Sequence, residues 1–395
     1  MVDTPALTID GVSPRERLAP RSADEVARAL HEADSAGKAV APVGGATQLD
    51  LGMPPSRLDL AIETTGLNRV VEYEPADLTV TVEAGMRFAE LQRILGEQGQ
   101  FLALDPPLED GATVGGAIAT NASGPLRFAY GTARDLVIGI RVANPDGTVT
   151  HAGGRVVKNV AGYDLDKLYV GSLGTLAVIV ELSFKLAPIP PSVACVAGEF
   201  SDLAAARSLV SAVMRSPLSP LAIELIGSRR VVFRVGGYAQ AVERQVRDLA
   251  SLIADHGGRH TDVDWDTLLR DRIETRRREV VLKASAPISA SATLVELLER
   301  NLRDFGPTVW AHAGNGVAYA ACDAPTDADA LQETRREVVA LGNNSALVVE
   351  RCPRVLKRSI DVWGEPGPNL ALMRAIKSKL DPNNTLNPGR YVGGI

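Results

Sequence analysis

Gly111-Ala112-Thr113-Val114-Gly115-Gly116-Ala117-Ile118-Ala119-Thr120-Asn121-Ala122-Ser123-Gly124 is the stretch on which the reading of this chain turns. Its side chains are small or hydroxyl-bearing and almost without bulk. A run of this kind fills no hydrophobic core, but it can line a narrow slot for a planar ring and its phosphates. Pro106 and Pro107 stand just upstream and stiffen the approach. A glycine-rich loop made only for tight packing is the bland reading of the same residues.

Two further segments share this character. Pro42-Val43-Gly44-Gly45-Ala46-Thr47-Gln48 follows a short apolar strand directly. Paired glycines let the backbone come close to an anion and aim several N–H groups at it. Charge-assisted bonds of that kind are worth roughly 1.5–3 kcal/mol each, so a handful would anchor a pyrophosphate. A Gly-Gly turn between strands is also a common structural device. The third segment is Lys158-Asn159-Val160-Ala161-Gly162-Tyr163-Asp164-Leu165, followed by Gly171-Ser172-Leu173-Gly174-Thr175-Leu176. Gly174 and Thr175 enter a long alternating strand, which brings backbone groups there to the edge of a heterocycle.

Outward from these loops the periodicities alternate between helix and strand. Ser22 and Glu25 make a capping-box pattern ahead of Val26, Ala29, Leu30 and Ala33 at helical spacing, and Gly37 suits the stop. Strands are expected over 39–43 and around Leu78, Val80 and Val82, then a helix from about Arg87 to Leu95. Ile138, Ile140 and Val142 alternate before Asn144-Pro145-Asp146-Gly147, a tight turn into a returning strand. Leu176, Val178, Val180, Leu182, Phe184 and Leu186 hold period two, and place one apolar face along a long strand.

Pro188, Pro190 and Pro191 mark a domain boundary. Beyond it come a strand to Phe200, Ser201 as N-cap, and a helix to about Met214. Strands near 221–226 and 231–235 come next, then helices over about 239–255 and 294–303, and strands near 308–313 and 346–350. That mixture suits an antiparallel sheet covered by helices. A last helix, Leu370–Leu380, leads to Asp381-Pro382 and Asn387-Pro388-Gly389.

Composition excludes several classes. The chain has 395 residues, 45% hydrophobic and 23% charged, which is ordinary globular composition and suits two domains. A net charge of -6 announces no basic face for a nucleic-acid backbone. The three cysteines, Cys195, Cys322 and Cys352, lie too far apart for a CxxC or a four-cysteine cluster, as expected for a reducing cytoplasm. The first ten residues carry Asp3 and Asp10 and no signal-like apolar run, and no segment is long enough to span a bilayer. Membrane association is expected only through partners. No GxGxxG follows a strand and no GxxxxGK[ST] or HExxH occurs. His256 and His260 enclose Gly257-Gly258, so that pair reads as a surface loop and not a metal site.

Together the three small-residue segments resemble the FAD-binding domain of the vanillyl-alcohol oxidase type, the PCMH-type flavin domain. More narrowly the chain is similar to the family of FAD-binding subunits of bacterial glycolate oxidases. The resemblance rests on residues 42–48, 113–124, Gly131-Thr132-Ala133-Arg134-Asp135, Gly162-Tyr163-Asp164-Leu165, residues 171–176, Leu380-Asp381-Pro382 and Asn387-Pro388-Gly389-Arg390. It covers about 20–190 and the last twenty residues, and is thin between 192 and 360.

The resemblance implies an α+β fold: a PCMH-type FAD-binding domain of two α+β subdomains over 1–190, an α+β cap with an antiparallel sheet over 191–368, and a C-terminal helix and tail over 369–395 returning to the FAD domain. It implies FAD contacts at Pro42, Val43, Gly44, Gly45, Ala46, Thr47, Gln48, Pro106, Thr113, Gly115, Gly116, Thr120, Asn121, Ser123, Gly124 and Ile179. Covalent members attach the flavin partly through a His directly after the Gly-Gly pair. Ala46 stands there, so FAD is expected to be held non-covalently. Metal-dependent members carry a His-rich cap motif with a partner Glu-His. His312-Ala313-Gly314-Asn315-Gly316 retains one His, and Glu350 is followed by Arg351 and Cys352. One imidazole and one carboxylate are too few ligands for a tightly held metal, so His312 is expected to be a hydrogen-bonded core or interface residue.

The same resemblance implies an FAD subunit of a glycolate-oxidising (2-hydroxy acid) dehydrogenase complex, with a catalytic flavin subunit and an iron–sulfur subunit as partners. A self-sufficient 2-hydroxy-acid dehydrogenase, with Arg351, Arg354 or Lys283 holding the substrate carboxylate, is the first rival. A structural subunit that keeps the fold without using FAD is the second.

Overall fold

The computed structural model describes residues 7–108, 110–154 and 163–395. The reading of Lys158-Asn159-Val160-Ala161-Gly162 lies outside the described residues. Two compact units emerge: Met1–Ser123 with Gly131–Ile189 and Glu365–Ile395, and Gly124–Tyr130 with Pro190–Gly364. The short excursion 124–130, expected in the first domain, belongs to the second.

In the first unit, β1 (Glu16–Leu18), β2 (Val40–Val43) and β3 (Leu60–Glu63) form a parallel sheet in the order β1-β3-β2. Helix α1 (Ala23–Ser35) buries Val26, Leu30 and Ala33 in one cluster with Leu60, Ile62, Val178 and Val180. Its N-cap is Ser22, as the sequence indicates, but Glu25 reaches the amide before the cap and not the cap's own, so the capping box is half made. Ser22 Oγ accepts from the Glu25 amide at 3.2 Å, and Glu25 Oε2 accepts from the Arg21 amide at 2.8 Å.

A second sheet is antiparallel and holds β4 (Val70–Glu74), β5 (Thr79–Glu83), β7 (Val137–Ala143), β8 (Val149–Gly153) and β9 (Val178–Lys185), in the order β4-β5-β9-β7-β8. The short pair β6 (Gln100–Phe101) and β10 (Ala187–Pro188) stands beside it. Helices α2 (Phe88–Gly96), α3 (Val114–Ala119), α5 (Ala133–Leu136) and α6 (Asp166–Tyr169) belong to this unit, and α4 (Arg127–Tyr130) to the excursion.

Strand β9 corrects the expected single apolar face. It begins at Val178, and Val178 and Val180 pack with the α1 cluster, whereas Ile179, Leu182 and Phe184 join the other core. The register against β7 shifts here: Glu181 pairs with Arg141 while Ile179 pairs with Val142, so Val180 is the extra residue of a bulge. One extra residue reverses side-chain parity. The strand therefore feeds two cores, one on either side, and its apolar period runs straight through the reversal.

The second unit is built on one eight-stranded antiparallel sheet. Its strands are β11 (Ser192–Glu199), β12 (Ala222–Ile226), β13 (Arg230–Gly237), β14 (Arg259–Thr261), β15 (Val280–Ser285), β16 (Thr308–His312), β17 (Val317–Cys322) and β18 (Ala346–Arg351). The order is β14-β11-β13-β12-β16-β17-β15-β18. Helices α7 (Leu203–Arg215), α8 (Ala239–Asp255), α9 (Trp265–Thr275), α10 (Ser291–Asn301) and α11 (Asp329–Ala340) accompany it. Trp265 and Leu268 of α9 pack on Ala197, Ala222 and Val232 of the sheet.

The N-cap of α7 is Asp202, which accepts from the Ala205 amide at 2.9 Å, and not Ser201, whose hydroxyl donates to Asp202 at 3.0 Å. Both residue types cap, and the carboxylate is one place nearer the first turn. His256 closes α8 and His260 lies on β14, so only Gly257-Gly258 between them is loop. The chain then returns to the first unit as α12 (Leu370–Leu380) and a tail to Ile395.

Candidate functional site

The site begins where β2 ends. Beyond Val43 the chain turns through Gly44-Gly45, and Ala46 takes a left-handed conformation at φ 59°. The amides of Gly45, Ala46, Thr47 and Gln48 donate to no acceptor among the described residues. Four successive backbone donors without a protein partner, in a loop that lines a cavity, are the material of an anion cradle.

The second small-residue run meets this loop from the other side. Thr113 pairs with Arg87 in an isolated antiparallel bridge, and its Oγ1 accepts from the Gly116 amide at 3.2 Å as the N-cap of α3. Val114 N donates to Met86 O at 2.9 Å and Gly115 N to Ala84 O at 2.7 Å. These amides are already used, so the run contributes a wall more than a set of donors. Its glycines serve a purpose the sequence does not announce. A methyl group at Gly44 would overlap Thr113 Oγ1, one at Gly45 would overlap the Gly111 carbonyl, and one at Gly115 would stand 2.7 Å from Ala84 Cβ. The glycines let the protein touch itself. Thr113→Val is accordingly expected to cost about 1 kcal/mol through loss of the N-cap bond, measured by urea unfolding of the FAD-free protein.

The third wall is residues 173–179. Leu173 and Gly174 sit at φ 51° and 64°, and Leu173 N donates to Ala119 O at 2.8 Å. A Cβ at Gly174 would come within 3.0 Å of Pro42, so this wall lies against the strand that feeds the first loop. The C-terminal tail completes the enclosure. Asn387 Nδ2 donates to Leu173 O at 2.7 Å, and its Oδ1 is buried with no partner. Arg390, 5% exposed, donates through Nη2 to Leu49 O at 3.0 Å and Leu51 O at 2.6 Å. Burial lowers its guanidinium to about 10, against the opposing pull of Asp10 and Asp50.

Pro42, Val43, Gly44, Gly45, Ala46, Thr47, Gln48, Pro106, Thr113, Gly115, Gly116, Thr120 and Ile179 line this one cavity. Asn121, Ser123 and Gly124 do not. The run folds into α3 with Thr120 as its C-cap, Asn121 turns the chain at φ 51° beneath Gly171, Ser123 is buried, and Gly124 begins the excursion to the second unit. An extended slot does not exist there because six of the residues form a short helix. Gly174, read from the sequence as approaching a heterocycle edge, also lines the cavity, as do Ile9, Thr64, Leu173, Asn387 and Arg390, which no reading of the sequence assigns to it. The left-handed demand at Gly174 and the Asn387-Pro388-Gly389-Arg390 tail are the signals that point to them.

Residues 14–153 match the FAD binding domain, and residues 364–391 match the C-terminal domain of FAD linked oxidases. The chain is an FAD-linked oxidoreductase. It is 27% identical over 420 residues to the mitochondrial D-lactate dehydrogenase (cytochrome) of Arabidopsis thaliana, covering 94% of this chain and 72% of that one. It is 26% identical over 421 residues to glycolate oxidase subunit GlcD of Bacillus subtilis, covering 94% and 88%. Among solved structures, p-cresol methylhydroxylase with substrate bound aligns at a TM-score of 0.76 and 15% identity, over 95% of this chain and 88% of that one. The fold is PCMH-type α+β.

The cavity suits FAD. Among the described residues of its lining Arg390 is the one that carries a charge and none is a carboxylate, and the amides at 45–48 favour a diphosphate. Among the described residues of its lining there is no His, Cys or Tyr. When bound, FAD supplies the capacity to accept a two-electron equivalent and release electrons singly.

A second polar cluster lies in the other unit. Glu224 on β12 is fully buried and pairs in register with His312 on β16. Glu224 Oε1 accepts from His312 Nδ1 at 2.8 Å, which places the imidazole hydrogen on Nδ1, and Arg272 of α9 forms an ion pair with Oε2. Burial pushes the Glu224 carboxyl up, but Arg272 and His312 outweigh it and hold the group below its usual range. Burial lowers His312 against the pull of Glu224, and Arg272 and Arg127 add to the lowering. His312 is thus the core residue expected of it, neutral and edge-on to Tyr319 at 5.3 Å between ring centroids.

Tyr319 stacks on Trp310 at 5.3 Å and carries Arg276 over its face at 4.9 Å. Glu350 pairs with Arg276 and stands 3.8 Å from Lys283, so Lys283 is an engaged cation. Arg351 Nη1 donates to Arg277 O at 3.3 Å, and Arg354 is exposed. Among the described residues no three His, Cys, Asp or Glu side chains are grouped to hold a metal ion. No helix among them is long and apolar enough to cross a membrane.

Proposed function

We propose that this chain is the FAD-carrying subunit of a complex that oxidises glycolate or a similar 2-hydroxy acid. A second flavin subunit performs the substrate oxidation, and an iron–sulfur subunit receives electrons. The assembly is cytoplasmic and reaches the inner membrane through its partners. The observation that carries the subunit reading is the state of His312. Its Nδ1 is committed to Glu224, its ring is buried against Tyr319, and Arg272 holds the same carboxylate. A histidine spent on a buried hydrogen bond to an internal carboxylate is poorly placed to take a substrate proton or a ligand.

The relatives named above act, by their names, on D-lactate and glycolate, both 2-hydroxy acids, which supports the substrate class. The rival of a self-sufficient dehydrogenase draws on Lys283 of β15 and on Arg276, which caps the end of α9 and lies over the Tyr319 ring, cations of a kind that suit a carboxylate. A purely structural subunit sits badly with a cradle of four free amides and a buried arginine, features that serve an anion.

The test is turnover of glycolate and of D-lactate with a dye acceptor. The purified FAD-loaded chain is expected to be inactive alone and active within the complex co-purified from native cells. That complex is expected to show flavin and iron–sulfur absorption. Steady-state oxidation of either acid by the isolated chain would establish the rival.

A further inference from the structure

We infer that Lys377 is a positioning residue for FAD, acting through the backbone of two cavity walls and never touching the cofactor. The inference stands on the cavity and not on the choice of substrate. Helix α12 is unusual in what it buries: the one buried residue of its eleven is a lysine. The Lys377 ammonium has three N–H donors and three acceptors, Thr175 O at 2.8 Å, Asp381 Oδ2 at 2.5 Å and Leu386 O at 2.9 Å. Asp381, 1% exposed, accepts in turn from the amides of Thr385 at 2.9 Å and Leu386 at 2.8 Å. Every group in this node is satisfied, as a buried ion pair requires if it is to hold one geometry.

The node has two outputs, and both reach the cavity. Thr175 follows Gly174 in the third wall. Residues 385–387 run beside β2, with Val40 N donating to Thr385 O at 2.7 Å and Asn387 N to Val40 O at 2.8 Å. Strand β2 delivers the 44–48 loop, and Asn387 also holds the Leu173 carbonyl. One ammonium thereby fixes the spacing between the wall at 173–179 and the strand that launches the anion cradle. The C-terminal tail is a clip across the cofactor site, and Lys377 is its pivot.

The experiment uses the full chain carrying Lys377→Met with Asp381→Asn. This pair removes both charges together, and the asparagine Oδ1 keeps an acceptor for one of the two amides. FAD is titrated into the apoprotein and followed by quenching of flavin fluorescence, alongside the apoprotein's thermal melt. A cooperative melt is expected together with an FAD dissociation constant raised by about fivefold or more; a smaller rise in a folded variant overturns the inference. Should the variant fail to fold, hydrogen exchange of the parent chain decides. Saturating FAD is expected to slow exchange at the Thr385 and Leu386 amides, and unchanged exchange there overturns the inference.

Discussion

Gly45→Ala is expected to yield a folded but colourless protein that has lost about a hundredfold in FAD affinity, roughly 2.7 kcal/mol. The added methyl would overlap the Gly111 carbonyl and approach Arg87 Nη1 at 2.9 Å. A carbonyl in a backbone junction does not swing aside as a side chain does. Ala112 O accepts from Phe88 N at 3.0 Å and Val114 N donates to Met86 O at 2.9 Å, so the obstructing segment is pinned on both sides. The 44–48 loop must therefore move, and with it the four amides that would cradle the diphosphate. Gly116→Ala is the comparison, because its methyl meets only Thr113 Oγ1 at 3.0 Å. It is expected to cost about tenfold or less. Visible absorption of the purified proteins and flavin titration of their apo forms measure both. A yellow Gly45→Ala protein with parental affinity would remove the steric argument.

Glu224→Ala is the second large effect, and it falls on stability. The carboxylate is fully buried between Arg272 and His312. Removing one member of such a set leaves a buried charge uncompensated and costs about 3–5 kcal/mol. For a unit of this size that lowers the melting temperature by on the order of 10 °C. Replacing Glu224 and Arg272 together by Met and Leu is expected to recover most of the loss, since an apolar core there has no charge to solvate. Calorimetry of the three proteins checks the set, and equal losses in the single and double variants would show that packing, not charge, dominates.

The pH dependence has a definite sign. Both Glu224 and His312 are depressed in the folded state, so the unfolded chain binds protons more readily than the folded one. Their contribution is present above the unfolded values, near 6.5 for the imidazole and 4.5 for the carboxyl. It is lost as the pH falls below those values toward the folded ones. The parent melting temperature is expected to decline first below about pH 6.5, and His312→Gln is expected to remove that earlier part of the decline.

Much of the cofactor half is legible in the amino-acid sequence. Capping at Ser22, the hairpin at 144–147 and the small-residue runs are local devices, and local devices are written in neighbouring residues. Expectation and structure part where a local signal serves two masters. In β9 an unbroken apolar period conceals a bulge, because Val178 and Val180 face one core and Leu182 and Phe184 the other. In 113–124 small residues suggest a slot, but Thr113 caps a helix and turns Asn121, Ser123 and Gly124 away from the cavity. At 44–45 glycine reads as access for a ligand, and its first duty is access for Gly111 and Thr113.

Composition and short-range periodicity suffice for two features of this protein. The chain carries glycine-rich loops after strands, and two α+β regions meet near the prolines at 188–191. Three others exist only in the folded chain. Arg390 and Asn387 close a cavity begun at Pro42, Lys377 bolts the tail to Thr175, and Glu224 binds His312 and Arg272 in a buried set. The physical reason is range. A buried charge is stable only with its partners, those partners often stand tens to hundreds of residues away, and no period in the chain records which of them will meet.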